Sequence, residues 1–221
     1  MESTSATKPP PRVTRPSADA TRGAILAAAL DVFSERGFDG ASTRKIAARA
    51  GVTQPLLNYH FSSKDELWRA AVDVLFTRLA DQLTARAAGL RGVDEVTSAR
   101  LLVREFIGFS ARNPQVHRII TQECKTDGPQ MDWLVERHIQ PLYEATASML
   151  ASLAERGAVP AIPPAHLYYI LTGAGPTMFV LGPECRRLTG LDPSADEVIE
   201  AHADAVCLLL FGPDDGARHA P

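Results

Sequence analysis

The sequence predicts an all-α protein. No stretch of useful length alternates apolar and polar residues, apolar side chains recur three and four apart, and Gly and Pro clusters cut the chain into segments of helical length. The expected architecture is an N-terminal three-helix unit containing a helix-turn-helix, followed by a larger helical domain, about nine helices in all.

The elements follow in order. The opening MESTSATKPPPRVTRPSADA lacks an apolar h-region, so no secretory signal is expected. Its Pro, Ser and Thr content predicts a disordered arm over 1–18. Lys8, Arg12 and Arg15 in it suit a basic arm trailing into a minor groove as well as a solvated tail. From Asp19 a first helix places Ile25, Ala29, Val32 and Phe33 on one face, with Asp19 or Thr21 as cap and Gly37 as its stop. Phe38 then packs beneath the next two helices. A helix from near Thr43 carries Ile46, Ala47 and Ala50 on one face and ends at Gly51, where a left-handed backbone costs least. A further helix opens with Thr53 as N-cap and Pro55 in its first turn, and continues through Leu56, Leu57 and His60. Ala47 and Gly51 are the small residues expected where these two helices cross.

Ser63 caps a long fourth helix whose first turn holds Asp65 and Glu66, favourable at its positive end, and whose stripe is Trp68, Val72, Leu75, Leu79 and Leu83. Further helices are expected at about 94–112, 114–125, 129–155, 164–181 and 194–211. Breaks are expected at 89–92, 113–114, 127–129, 157–164 and 182–193. Pro141 should bend the 129–155 helix unless two helices meet there. Residues 157–183 contain no Asp, Glu, Lys or Arg, yet Pro160, Pro163, Pro164, Gly173, Gly175 and Pro176 interrupt them too often for a membrane span. A helix buried between its own domain and a partner subunit fits better. With the final helix, which carries Val198, Ala201, Ala205, Leu208 and Leu209 at helical spacing, it would form a four-helix bundle about a two-fold axis.

Charge is distributed unevenly. Residues 1–87 carry 12 Lys or Arg against 9 acids, and residues 88–221 carry 11 against 17, so the halves stand at +3 and −6. Between Gly40 and Lys64 there is no Asp or Glu at all, although the whole chain is net acidic. A cationic face of this kind draws phosphates, which makes double-stranded DNA the expected partner. Cys124, Cys185 and Cys207 are widely spaced, odd in number and without a CxxC, consistent with a reduced, cytoplasmic setting.

The run GASTRKIAARAGVTQPLLNYHFSSK has a Thr-Arg start, an Ile-Ala core pair, Gly-Val at the turn, Gln-Pro opening the second helix and Tyr-His-Phe before Ser-Lys. In these features it resembles the DNA-binding signature of the TetR family of one-component transcriptional regulators. The likeness covers roughly residues 20–75, and beyond it the chain is similar only in length and helical character. The resemblance implies a homodimer whose C-terminal domains bind a small effector and thereby release DNA, with the fourth helix as the mechanical link. On this basis residues 19–64 form the DNA-binding domain, 65–213 the effector-binding and dimerisation domain, and 214–221 a flexible tail.

Residue chemistry supplies the expected contacts. Arg44 suits a bidentate fork on guanine O6 and N7, and Gln54 the same on adenine N6 and N7. Pro55 and Leu56 offer apolar surface to a thymine methyl, and Asn58, where the family often carries Tyr, has both a donor and an acceptor. Thr43, Thr53, Tyr59, His60 and Lys64 are expected on phosphates, which set register without carrying sequence information. Thr43 and Thr53 equally suit helix caps, and His60 a core position. An effector pocket, mostly apolar with a few hydrogen-bonding groups, is expected among Phe106, Phe109, His117, Gln122, Trp133, His138, Tyr143, Tyr168 and Met178. No GxSxG elbow, metal spacing or Gly-rich phosphate loop occurs, so neither catalysis nor a cofactor or metal is expected. A ligand- or partner-binding helical protein that does not read an operator is the alternative.

Overall fold

The computed structural model describes residues 17–213, and every element in it is helical. Lys8, Arg12 and Arg15 of the expected arm, and the expected tail 214–221, lie outside the described residues. The order is α1 (Ala18–Gly40), α2 (Thr43–Arg49), α3 (Gln54–His60), α4 (Lys64–Gly89), α5 (Glu95–Arg112), α6 (Gln115–Glu123), α7 (Pro129–Leu134), a π-helical turn (Val135–Ile139), α8 (Gln140–Glu155), α9 (Pro164–Val180), α10 (Gly182–Thr189) and α11 (Asp196–Phe211).

Local chemistry accounts for most of the boundaries. The α1 cap is Ser17, whose Oγ accepts from the Ala20 N–H at 3.1 Å, in place of the expected Asp19 or Thr21. Gly37 interrupts α1 at φ 68°, as its role of stop requires, and the chain makes one more turn to Gly40. Gly51 has φ 67°, and the Gly51 and Val52 amides donate back to the Ala48 and Ala47 carbonyls, closing the end of α2. A Cβ at Gly51 would meet nothing within 4 Å. The glycine there serves backbone conformation and not the helix crossing, which buried Ala47 supplies. Ser63 caps α4 by accepting from the Glu66 N–H at 3.0 Å, and Glu66 returns by accepting from the Ser62 N–H at 2.8 Å.

Two further expectations change. Pro141 does not split the long helix. The turn ahead of it widens instead, with the Gln140 N–H donating to the Val135 carbonyl five residues back, which accommodates the bond that a proline cannot make. The segment 182–193, expected as a break, contains α10, closed by Gly190 at φ 75°. With α7, the π turn and α8 taken as one rod, the described residues form ten rods.

Two hydrophobic cores organise the rods. The first joins α1 to α4 around Ile25, Phe33, Ile46, Leu57, Trp68 and Phe76, and extends to Phe109, Val116, Ile119 and Leu134 of α5, α6 and α7. The second gathers Val103, Ile107, Leu150, Leu171, Phe179 and Val206 from α5, α8, α9 and α11. Phe106 packs against both. Arg104 of α5 forks onto Asp204 and Glu200 of α11, and Arg100 donates to the Gly212 carbonyl at 2.8 Å, holding the end of α11 to α5. Helix α9 runs through Pro176, and His202 Nε2 donates to the Ala174 and Gly175 carbonyls at 3.1 and 3.0 Å just before it. Among the described residues no helix is long and apolar enough to cross a membrane.

Candidate nucleic-acid interface

The acid-free window folds into α2, the Gly51 turn, α3 and the entry to α4. Ile46, Ala47, Leu57 and Phe61 are buried, which fixes the angle between the two short helices and turns their other faces outward. Arg44, Lys45, Pro55, Asn58 and Tyr59 are exposed, as is Leu56, while Gln54, Thr43, His60 and Lys64 are half-buried. Tyr59 is 83% exposed, so it contributes nothing to the core. Its ring lies 5.4 Å from that of His60 in an edge arrangement. An open notch of about 500 Å³ between α2 and α3 is lined by Thr43, Gln54, Asn58, Ser62, Ser63 and Lys64, among others. Ser62 was not singled out from the sequence, and Ser63 only as a helix cap, although both fall in the same acid-free run.

Hydrogen bonds distinguish the expected contacts. Thr53 is a cap, accepting from the Leu56 N–H at 3.4 Å. Thr43 is not. Ser42 occupies that position, and the Thr43 hydroxyl instead accepts from Gln54 Nε2 at 3.0 Å. Gln54 Nε2 also donates to Asn58 Oδ1 at 3.2 Å, whereas Gln54 Oε1 is shielded from solvent and has no hydrogen-bond partner. Lys64 turns back toward α1, with Nζ donating to the Asp39 carbonyl at 3.3 Å and lying 4.5 Å from the Phe38 ring centre. Arg49, the fourth cation of the window, is held by Glu35 at 2.8 Å.

Behind this face, α1 meets α6. Glu123 Oε1 accepts from the Phe38 N–H at 2.7 Å, immediately after the Gly37 break. Burial raises the Glu123 pKa, and the Phe38 amide only partly opposes that. Gln115 of α6 donates to Asp31 of α1 at 3.4 Å. This carboxylate-to-amide tie was invisible in the sequence, because its two ends are 85 residues apart.

The structure distributes the expected pocket residues over three places. Phe106 and His117 meet edge to face at 5.7 Å between α5 and α6, near buried Phe109. His117 Nε2 lies 3.3 Å from Ser110 Oγ, and burial pushes its pKa down to about 4, so it is neutral at physiological pH. Trp133 and His138 pack instead on α4: Trp133 edges onto Trp68 at 5.3 Å and His138 stacks on Phe76 at 5.0 Å. His138 Nε2 lies 2.9 Å from Asp73 Oδ1, close enough to attract though not aligned as a hydrogen bond. Burial lowers the His138 pKa against that attraction. Tyr143 and Tyr168 meet at 5.0 Å between α8 and α9, and burial raises the Tyr168 pKa to about 12. Met178 is half-buried on α9. Gln122 departs from the group: it is exposed on α6, with its side chain beside Gly37.

A rigid pair of short helices presenting an acid-free outer face, borne on a helical body, defines a helix-turn-helix DNA-binding protein. Comparisons with known proteins agree. The family described as bacterial regulatory proteins, tetR family, matches residues 25–71. The HTH-type transcriptional regulator RutR of Escherichia coli K12 is 27% identical over 175 residues, 77% of this chain and 79% of RutR. The HTH-type transcriptional activator FasR of Mycolicibacterium smegmatis is 36% identical over 115 residues, 51% of each chain. Among solved structures, AibR in complex with isovaleryl coenzyme A and operator DNA superposes with a TM-score of 0.70 at 20% identity, over 88% of this chain and 100% of that one. A TetR-like transcriptional regulator from Rhodococcus gives 0.63 at 24% identity, over 90% and 96%. The protein is a TetR-family DNA-binding transcriptional regulator, and its family is one of regulators, not of enzymes.

Proposed function

We propose that this chain is a cytoplasmic repressor that binds a near-palindromic operator as a homodimer and is released when a small molecule occupies residues 65–213. The observation that carries the reading is the outward face of α2 and α3, where Arg44, Asn58, Leu56 and Tyr59 stand exposed without a nearby acid in sequence. In this reading Arg44, Gln54, Pro55, Leu56 and Asn58 face the bases of a major groove, and Thr43, Thr53, Tyr59, His60 and Lys64 face phosphates. For Lys64 this requires release from the Asp39 carbonyl.

The homodimer is supported by the outer faces of α9 and α11. Tyr169, Ile170, Leu208 and Leu209 are exposed there, at 73%, 40%, 56% and 64%. Covering such a face with a second copy removes apolar surface that a monomer leaves in water, and a two-fold axis presents two recognition helices to two half-sites. Ligand binding by such a fold is supported by a structurally similar chain, AibR, solved in complex with isovaleryl coenzyme A and operator DNA together. Effector release rests on α6, which joins the interior carrying Phe106 and His117 to the amide after Gly37 in α1. The ligand need only bind the DNA-incompetent state better, by a few kcal/mol for a useful switch.

The test is selection of bound sites from random duplexes by full-length protein at fixed salt. A paired, inverted motif is expected, with Arg44→Ala losing about 1–3 kcal/mol of base discrimination and Lys64→Ala weakening all duplexes alike. Enrichment of no motif at all would refute operator binding.

A further inference from the structure

We propose that Asn58 and Thr43 determine specificity as positioning residues acting through Gln54, so that Gln54 reads adenine or cytosine with its carbonyl oxygen alone. The inference rests on the operator-binding reading above and deepens it.

An amide nitrogen has two hydrogens, and both are engaged within the protein: Gln54 Nε2 donates to Thr43 Oγ1 at 3.0 Å and to Asn58 Oδ1 at 3.2 Å. The first bond crosses from α3 to α2 and the second spans one turn of α3, so the amide is held from two helices. Gln54 Oε1 is left as an acceptor with no partner. A shielded carbonyl in that condition costs about 1–3 kcal/mol until a donor reaches it. Gln54, Thr43 and Asn58 line the same open notch, where a base edge would arrive. Nε2 and Oε1 share the same Cδ, so turning the terminal torsion would move both; a small tilt of the whole side chain, within the slack of the two anchoring bonds, is what brings Oε1 to the notch.

An acceptor selects a donor. In the major groove, adenine N6 and cytosine N4 are donors, whereas guanine O6 and thymine O4 are acceptors and repel it. The bidentate adenine pairing expected from the sequence needs an N–H on adenine N7, and both Nε2 hydrogens are already engaged. Asn58, for its part, spends its Oδ1 on Gln54 and reaches specificity through that bond.

The experiment is selection from random duplexes with full-length wild type, Gln54→Ala, Asn58→Ala, Asn58→Asp, Thr43→Val and the Gln54→Ala/Asn58→Ala pair, with each variant's unfolding midpoint checked against wild type. One base pair per half-site is expected to accept adenine or cytosine, but not guanine or thymine, on the strand facing Gln54. Gln54→Ala flattens that preference, and Asn58→Ala and Thr43→Val reduce it about five- to tenfold at the same base pair. The double variant is no flatter than Gln54→Ala. Asn58→Asp keeps an acceptor for Nε2, so it retains the base choice while its charge weakens every duplex. The proposal is overturned by adenine alone, guanine or thymine at that base pair. It is equally overturned if Asn58→Ala acts on a different base pair, if the two variants add, or if Asn58→Asp flattens as Asn58→Ala does. A wild type that selects no motif overturns the operator reading itself, which separates the two failures.

Discussion

Acidification should unfold this protein partly through one side chain, His117. In the fold it is 7% exposed, against Phe106 and Ser110, and burial depresses its pKa from 6.5 to about 4. The folded state therefore holds a neutral imidazole that the unfolded chain protonates near pH 6.5. Its stabilisation is fully present above that pH and is lost as the pH falls through 4. Integrating proton uptake between the two values gives a loss of about 2 kcal/mol by pH 5 and about 3 kcal/mol by pH 4, relative to neutral pH. That is a large share of the roughly 5–15 kcal/mol that holds a typical domain together.

The assay is urea unfolding of wild type and His117→Gln from pH 7 to pH 4, followed by tryptophan fluorescence, since Trp68 lies fully buried and Trp133 packs on it. Protein concentration is held constant, because association shifts apparent stability. Glu123 titrates with the opposite sign: burial raises its pKa, so its contribution is greatest at low pH and declines as the pH rises. The difference between the two curves removes that common background. If His117→Gln loses stability on acidification as steeply as wild type, His117 is not the buried neutral group and the reasoning fails.

Three other outcomes are expected. Gly51→Ala should cost about 1–2 kcal/mol in the urea midpoint and weaken DNA binding, because φ 67° strains any side chain even where a Cβ has open space. Glu123→Ala should destabilise by about 1–3 kcal/mol by leaving the Phe38 amide without its acceptor. Glu123→Gln retains that acceptor, so calorimetry should place it near wild type, with a flatter pH response in the carboxylate range. On the proposed homodimer reading, wild type should sediment as a dimer and the Leu208→Glu/Leu209→Glu variant as a monomer, since the variant places charge on the exposed face of α11.

Much of the DNA face was legible because its signals are local. Gly51 and Thr53 mark a helix end and a helix start within three residues, and both behave as their chemistry dictates. Elsewhere equally good local candidates competed. Ser17, Asp19 and Thr21 all suit the cap of α1, and the structure uses Ser17. Pro141 suits a bend or a meeting of two helices, and the structure instead widens the turn ahead of it, where Trp133 and His138 pack on α4. The segment 182–193, with its Gly and Pro at both ends, read as a break because its helix, α10, is short. The expected pocket fared differently, since helical spacing identifies an inward face but not which helix lies opposite. Trp133 and His138 face α4, Tyr143 faces Tyr168, and Gln122 sits beside Gly37.

The sequence by itself determined the all-helical class, the helix-turn-helix and the family, because these depend on interactions within about a dozen residues. It also determined the chemistry of the acid-free face, which is a matter of residue type. Only the tertiary structure decided how that chemistry is used: Gln54 tied to Thr43 and Asn58, Lys64 turned onto Asp39, and Glu123 holding the amide beyond Gly37. The physical reason is the directionality of hydrogen bonds. Any sequence lists donors and acceptors, but which of them pair, and which are left over to meet a base, follows from a few tenths of an ångström that only packing sets.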